Sequence, residues 1–245
     1  MNDDMDDARH RLARIERLLE SGERELVPAW RQATRGEPRW TVTAVILVAV
    51  ALQTILPHRL VLLHPSWALP ALELALLAAL VAGSPRRVEP RTRLLRYLGL
   101  TLAGVISVAN GWAAARLVGD LVSGRGGDSA VPLLLTGGVI WLTNVIVFAL
   151  WYWEWDRGGP MARVRGQHQY ADFLFVQMQS PELAPSDWEP AFPDYLYLSF
   201  TNATAFSPTD VMPLSRWSKM LMMLQSSVSL VTVVLVVARA VNILK

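Results

Sequence analysis

Five long apolar blocks constrain this chain more than any other feature. Residues 41–56, 67–83, 97–118, 131–153 and 220–237 are dominated by Leu, Val, Ile, Ala, Met and aromatic side chains. Each block reaches, or nearly reaches, the length a helix needs to cross a ~30 Å hydrocarbon layer. A water-soluble bundle would instead carry polar residues along one face, at every third or fourth position. Inside a bilayer a segment must satisfy its own backbone donors and acceptors, which leaves the helix as the form for such blocks. The fold class that follows is an all-α integral membrane protein with five transmembrane helices.

The remaining composition removes several function classes. The chain has no cysteine, so disulfides, thiolate catalysis and Cys-ligated metals are excluded. Its 23 basic and 21 acidic residues nearly balance, which does not indicate a nucleic-acid partner. His10, His58, His64 and His168 are scattered and lack metal-ligand spacing. No nucleophile–base pair, phosphate loop or paired-carboxylate site stands out, so neither an enzyme nor a cofactor is expected.

Arginines give the orientation. The segment before the first block holds Arg9, Arg11, Arg14, Arg17, Arg24, Arg31, Arg35 and Arg39, and the link between blocks two and three holds Arg86, Arg87, Arg91, Arg93 and Arg96. The links after blocks one and three hold one arginine each. Short Lys/Arg-rich segments stay cytoplasmic, so the N-terminus is expected in the cytoplasm and the C-terminus outside the plasma membrane. No cleavable signal peptide is visible, and the first block is read as the anchor.

Three parts follow. Residues 1–39 form a cytoplasmic polar segment in which Ala8, Leu12, Ile15, Leu19 and Leu26 draw a narrow apolar seam. Residues 40–153 form a four-span bundle. Residues 154–245 hold an interfacial loop, a half-length helix and the last span. Within that loop "YADFLFVQM" is too short to cross a bilayer and reads as an interfacial helix or a re-entrant dip. In "FPDYLYLSFTNATAF", Pro193 and Asp194 suit a first helical turn, and Pro208 stops the helix after roughly a dozen residues, ~18 Å. A half-helix, an irregular polar stretch and a full helix in succession make a re-entrant, pore-type module.

The stretch "DYLYLSFTNATAFSPTDVMPLSRWSKMLMMLQ" resembles the pore helix, filter and inner helix of potassium-channel-type pore domains. Laid against the usual filter run, it matches at Ser199, Phe200, Thr204, Asp210 and Pro213. The likeness covers about the last fifty residues. The chain is also similar to a family of bacterial five-span membrane proteins of unassigned function, through "DYLYLSFT…SPTDV" and "WYWEWDRGG". The first resemblance implies a homo-oligomer, a tetramer, around a central pore. The potassium filter itself is not retained. Phe206, Ser207, Pro208 and Thr209 stand where that filter has Val-Gly-Tyr-Gly, and without glycine an inward carbonyl ladder is unavailable.

Side-chain oxygens remain at one level: Thr204, Ser207, Thr209 and the Asp210 carboxylate. Repeated about an axis they would form a hydroxyl collar and acidic ring that admits monovalent cations with little discrimination. "SPTD" reads equally well as an N-terminal helix cap, which needs no ion. In the last block Ser218, Gln225, Ser229, Thr232 and Arg239 share one face, either lining a pore or packing on a neighbour helix. Glu73 in the second block reads as a proton or cation site, as an interfacial carboxylate, or as a buried pair with a neighbour such as Arg116. Asn110 and Asn144 read as interhelical links, and Trp151, Tyr152, Trp153 and Trp155 as an interfacial belt. The leading expectation is a homo-oligomeric cation-permeable channel with the bilayer and itself as partners. The alternatives are a non-conducting scaffold or partner-binding protein with a pore-loop fold, and a secondary transporter using Glu73.

Overall fold

The computed structural model describes residues 37–83, 93–125, 129–165, 170–204 and 210–244. These residues form six principal helices: α1 Arg39–Ile55, α2 Ala68–Gly83, α3 Arg93–Val122, α4 Ala130–Trp155, α5 Phe192–Thr204 and α6 Arg216–Ile243. Short strands β1 Phe173–Phe175 and β2 Val211–Pro213 pair antiparallel, with Leu174 opposite Met212.

The helices form where the apolar blocks lie, and each buries a stripe set by helical period. On α1 it is Val42, Ile46, Ala49, Val50 and Gln53; on α2 it is Leu69, Glu73, Leu77 and Leu80. α4 differs, because every residue from Thr143 to Leu150 is buried. A helix buried all round must be surrounded, and α4 touches α1, α3, α5 and α6. The larger core cluster gathers around its second half, and a smaller one joins Leu60, Leu117, Ala130 and Ala240 at the opposite end.

Three helical stretches, 94–122, 130–158 and 216–243, are long and apolar enough to cross a membrane. That is compatible with a membrane protein. α1 and α2 are apolar but have 17 and 16 residues. At 1.5 Å per residue they reach about 25 Å, short of a ~30 Å layer.

Several details differ from the sequence reading. "YADFLFVQM" becomes strand β1 followed by a helical turn at Val176–Gln179, because a β-rich Phe-Leu-Phe finds a partner in Val-Met-Pro. The last helix starts at Arg216, and its N-cap is Ser215, whose hydroxyl accepts from the Ser218 amide; Asp210 lies on the far side of β2. The Trp/Tyr belt splits: Tyr152 and Trp153 are buried in the core, while Trp155 reaches the surface. The seam from Ala8 to Leu26 lies outside the described residues, as do Phe206, Ser207, Pro208 and Thr209.

Candidate functional site

The half-length helix α5 is held at both ends, by different chemistry. Its first residue sits where α4 ends. The Glu37 carboxylate accepts from the Phe192 amide at 2.8 Å, the Trp153 indole at 3.0 Å and the Arg163 guanidinium at 3.3 Å. Arg163 also donates to the carbonyls of Trp153 and Asp156, at 2.7 and 3.1 Å. It stacks over the Trp153 and Tyr195 rings at 5.8 and 5.3 Å. Burial works against the Arg163 charge, but Tyr195, Glu37 and Asp156 outweigh it and hold its pKa above the ordinary value.

Asp156 is fully buried beside this cluster. It accepts from the Tyr195 hydroxyl at 2.6 Å, the Asp172 amide at 2.9 Å and the Arg157 guanidinium at 3.3 Å. Asp172 in turn takes the Trp217 indole at 2.8 Å, which ties in the start of α6. Burial keeps the Tyr195 hydroxyl protonated far above its usual range, so it serves as a donor. The local sequence "WDRGGP" makes the turn. Arg157 and Gly158 take positive φ, and Gly159, at φ 93° and ψ 174°, adopts a conformation close to glycine-only. A Cβ at Gly159 would also come within 2.5 Å of the Glu154 carbonyl oxygen.

Deeper in, neutral groups take over. The Gln225 side-chain oxygen accepts from Tyr152 at 2.5 Å and from Asn202 at 2.8 Å. Its amide donates to the Ser199 carbonyl at 2.9 Å and hydroxyl at 2.7 Å, and Ser199 donates onward to the Val145 carbonyl at 2.6 Å. One turn further, the Trp141 indole donates to Ser229, and Ser229 donates to the Ala203 carbonyl, both at 2.8 Å. α5 therefore starts beside Trp153 and ends level with Trp141, about half the length of α4.

The chain then returns. By Val211 it is paired with Phe175, and the Leu214 amide reaches the Asp172 carbonyl at 2.8 Å. Asp210 accepts from the Tyr197 hydroxyl at 2.7 Å, one turn into α5. This bond raises the Tyr197 pKa. Among the described residues Thr204 bonds to the carbonyls of Phe200 and Thr201 in its own helix, and both Thr204 and Asp210 are exposed.

The other expected site residues divide. Gln225, Ser229 and Thr232 face into the chain's own helix bundle and are buried, while Arg239 lies half-buried near the far end of α6. Glu73 is fully buried and takes the Gln53 amide on both oxygens at 3.0 Å; Arg116 instead lies over Trp112. The sequence reading missed Glu37, Asp156, Arg163, Asp172 and Tyr195. The signal available was the dense charge of "WEWDRGG" directly after an apolar block. Asn202 was missed for want of any signal beyond helical spacing, and Tyr152, read as part of the interfacial belt, belongs to this buried network instead.

No family model, curated protein or solved structure matches this chain.

Proposed function

We propose that the chain is one subunit of a homo-oligomeric, cation-permeable channel of the plasma membrane, with residues 204–210 at its entrance. In this reading α1, α2, α3, α4 and α6 are five spans, α1 and α2 reaching across with help from flanking residues. α5 is then a re-entrant half-helix. The observation that carries the reading is the path of the backbone: α5 descends along half of α4, and the chain is back at the starting level by Val211. A loop buried in lipid at that depth leaves amides unsatisfied, which neighbouring copies would shield. The C-terminal end of α5, at Thr204, carries the negative pole of its helix, a favourable setting for cations. Four copies would bring four Asp210 carboxylates to one ring.

The open side of this hairpin lies at the same end as Arg39 and the start of α3. With the arginine-rich segments in the cytoplasm, the entrance faces inward, inverted relative to potassium channels. A reporter fused after Lys245 is expected to read outside. The conduction test is the purified protein in planar bilayers, where cation currents should appear and Asp210→Asn should reduce them several-fold. Currents absent, or indifferent to Asp210, would remove the channel reading.

A second reading, a non-conducting scaffold with the same fold, has its own support. The polar stripe of α6 is consumed inside the protomer, and its outward face presents Met220, Met223, Leu224, Leu230, Val234 and Val237. That reading predicts a stable oligomer that passes no current.

A further inference from the structure

Away from α5, a cleft opens between α1, α2, α3 and α4 at the end where α4 meets Glu154. Its depth is apolar, lined by Ile46, Leu77, Leu80, Leu102 and Leu150, and its mouth carries Arg39, Arg96 and Glu154. The enclosed interior is only ≈ 50 Å³, so a ligand would lie along the cleft with its polar end at the mouth.

Charge is distributed unevenly across that mouth. Glu154 is buried, and both Arg39 and Arg96 lie close enough to feel its charge, as does Arg163 from behind. Gly99 makes the inner position possible, since a Cβ there would stand 2.8 Å from the Glu154 Oε1. Arg96 is exposed and Arg39 half-exposed. Among the described residues the carboxylate is thus set inward while two guanidiniums stand at the rim of an apolar slot. Guanidinium groups match phosphate oxygens with paired donors, and basic pockets between apolar helices suit anionic headgroups.

We propose that this cleft binds one anionic phospholipid, its phosphate between Arg39 and Arg96 and an acyl chain lying along Ile46, Leu77 and Leu102. A zwitterionic lipid is disfavoured because its ammonium would be brought to the same two guanidiniums. Nothing here depends on conduction: a scaffold with this cleft binds the lipid equally well.

The test uses the purified full chain in neutral detergent, titrated separately with dioleoyl phosphatidylglycerol, dioleoyl phosphatidylcholine and inorganic phosphate. Thermal midpoint and native mass spectrometry are read together. Phosphatidylglycerol is expected to raise the midpoint and saturate at one retained lipid per chain, while the other two leave it unmoved. Arg96→Gln should weaken phosphatidylglycerol binding by about tenfold or more, the equivalent of one charge-assisted bond. Arg96→Lys should recover only part of that loss, since it restores the charge but not the paired donors, and Thr43→Phe should weaken binding by narrowing the cleft while both arginines stay. Because Arg96 is exposed, its variants keep the test open even where Arg39→Gln folds poorly. Equal effects of the two lipids, or a phosphatidylglycerol preference untouched by Arg96→Gln, would overturn the assignment. Stabilisation by inorganic phosphate alone would show a free-anion site and overturn it as well.

Discussion

The two ends of α5 solve the same problem with opposite chemistry. At its start, Glu37, Asp156, Arg163 and Asp172 hold the helix with charges and buried ion pairs. At its finish, Gln225, Asn202, Ser199, Tyr152 and Ser229 hold it with neutral amides and hydroxyls. The difference follows from the cost of removing a charge from water. Near the ends of apolar helices that cost is met by multiple charge-assisted bonds; halfway along them it rises steeply, and neutral groups are the affordable choice. The start also joins segments distant in sequence, since residues 37, 153, 163, 172 and 192 converge there. Among the described residues the finish joins three neighbouring helices, α4, α5 and α6.

Breaking the charged end should do most. Arg163→Met leaves Glu37 buried without its ion-pair partner, and a loss of about 3–5 kcal/mol is expected. Thermal unfolding in detergent would check it, and a loss under 1 kcal/mol, the scale of an exposed pair, would refute the comparison. Next comes Gln225→Leu, which leaves the Tyr152 hydroxyl without its acceptor and removes one partner each from Asn202 and Ser199, which keep the Met222 and Val145 carbonyls. It should cost about 2–3 kcal/mol, less than the ionic break because every group that loses a bond is neutral. Trp141→Phe removes a single interhelical bond to Ser229, so only about 0.5–1 kcal/mol is expected in the same assay.

A pH experiment sharpens the contrast with the smallest effect. Burial first, and then Glu37, raise the Asp194 pKa above its ordinary value despite the bond from the Ala191 amide at 2.8 Å. The folded chain then keeps this proton at pH values where the unfolded chain has released it. Stability from this group is complete below the unfolded value and falls as pH rises through the folded one. Asp194→Asn abolishes that fall, so the midpoint of the native protein relative to the variant should decline from pH 3 toward neutrality, a window placed by the ordinary carboxylate range. A constant difference across that window would contradict the assigned environment. The neutral end has no carboxylate among Gln225, Asn202, Ser199, Tyr152 and Ser229, so Gln225→Leu should shift stability equally at every pH in that range.

Much of the helical framework was legible in the sequence, and the reason is specific. The apolar blocks have lengths set by helical rise, and "FPDYLYLSFTNAT" carries its own start in Pro193 and Asp194. The polar face of α6 was readable from spacing, because Ser218, Gln225, Ser229 and Thr232 repeat with helical period. What that face touches was not readable. Spacing is blind to the partner, and a pore and a neighbouring helix demand the same pattern. The charged cluster was hidden for a related reason. Glu37 and Arg163 are ordinary surface types in isolation, and only the fold removes both from water together.

The sequence alone determined which segments avoid water and that α5 is half as long as its neighbours, because hydropathy and helical rise are local properties of the chain. Tertiary structure decided that Glu37 pairs with Arg163, that Gln53 takes Glu73, and that the stripe of α6 turns inward. Those choices depend on which surfaces meet across separations that run from 20 residues, for Gln53 and Glu73, to 126, for Glu37 and Arg163, and the free energy of a buried polar group is fixed by its partner rather than by its own identity.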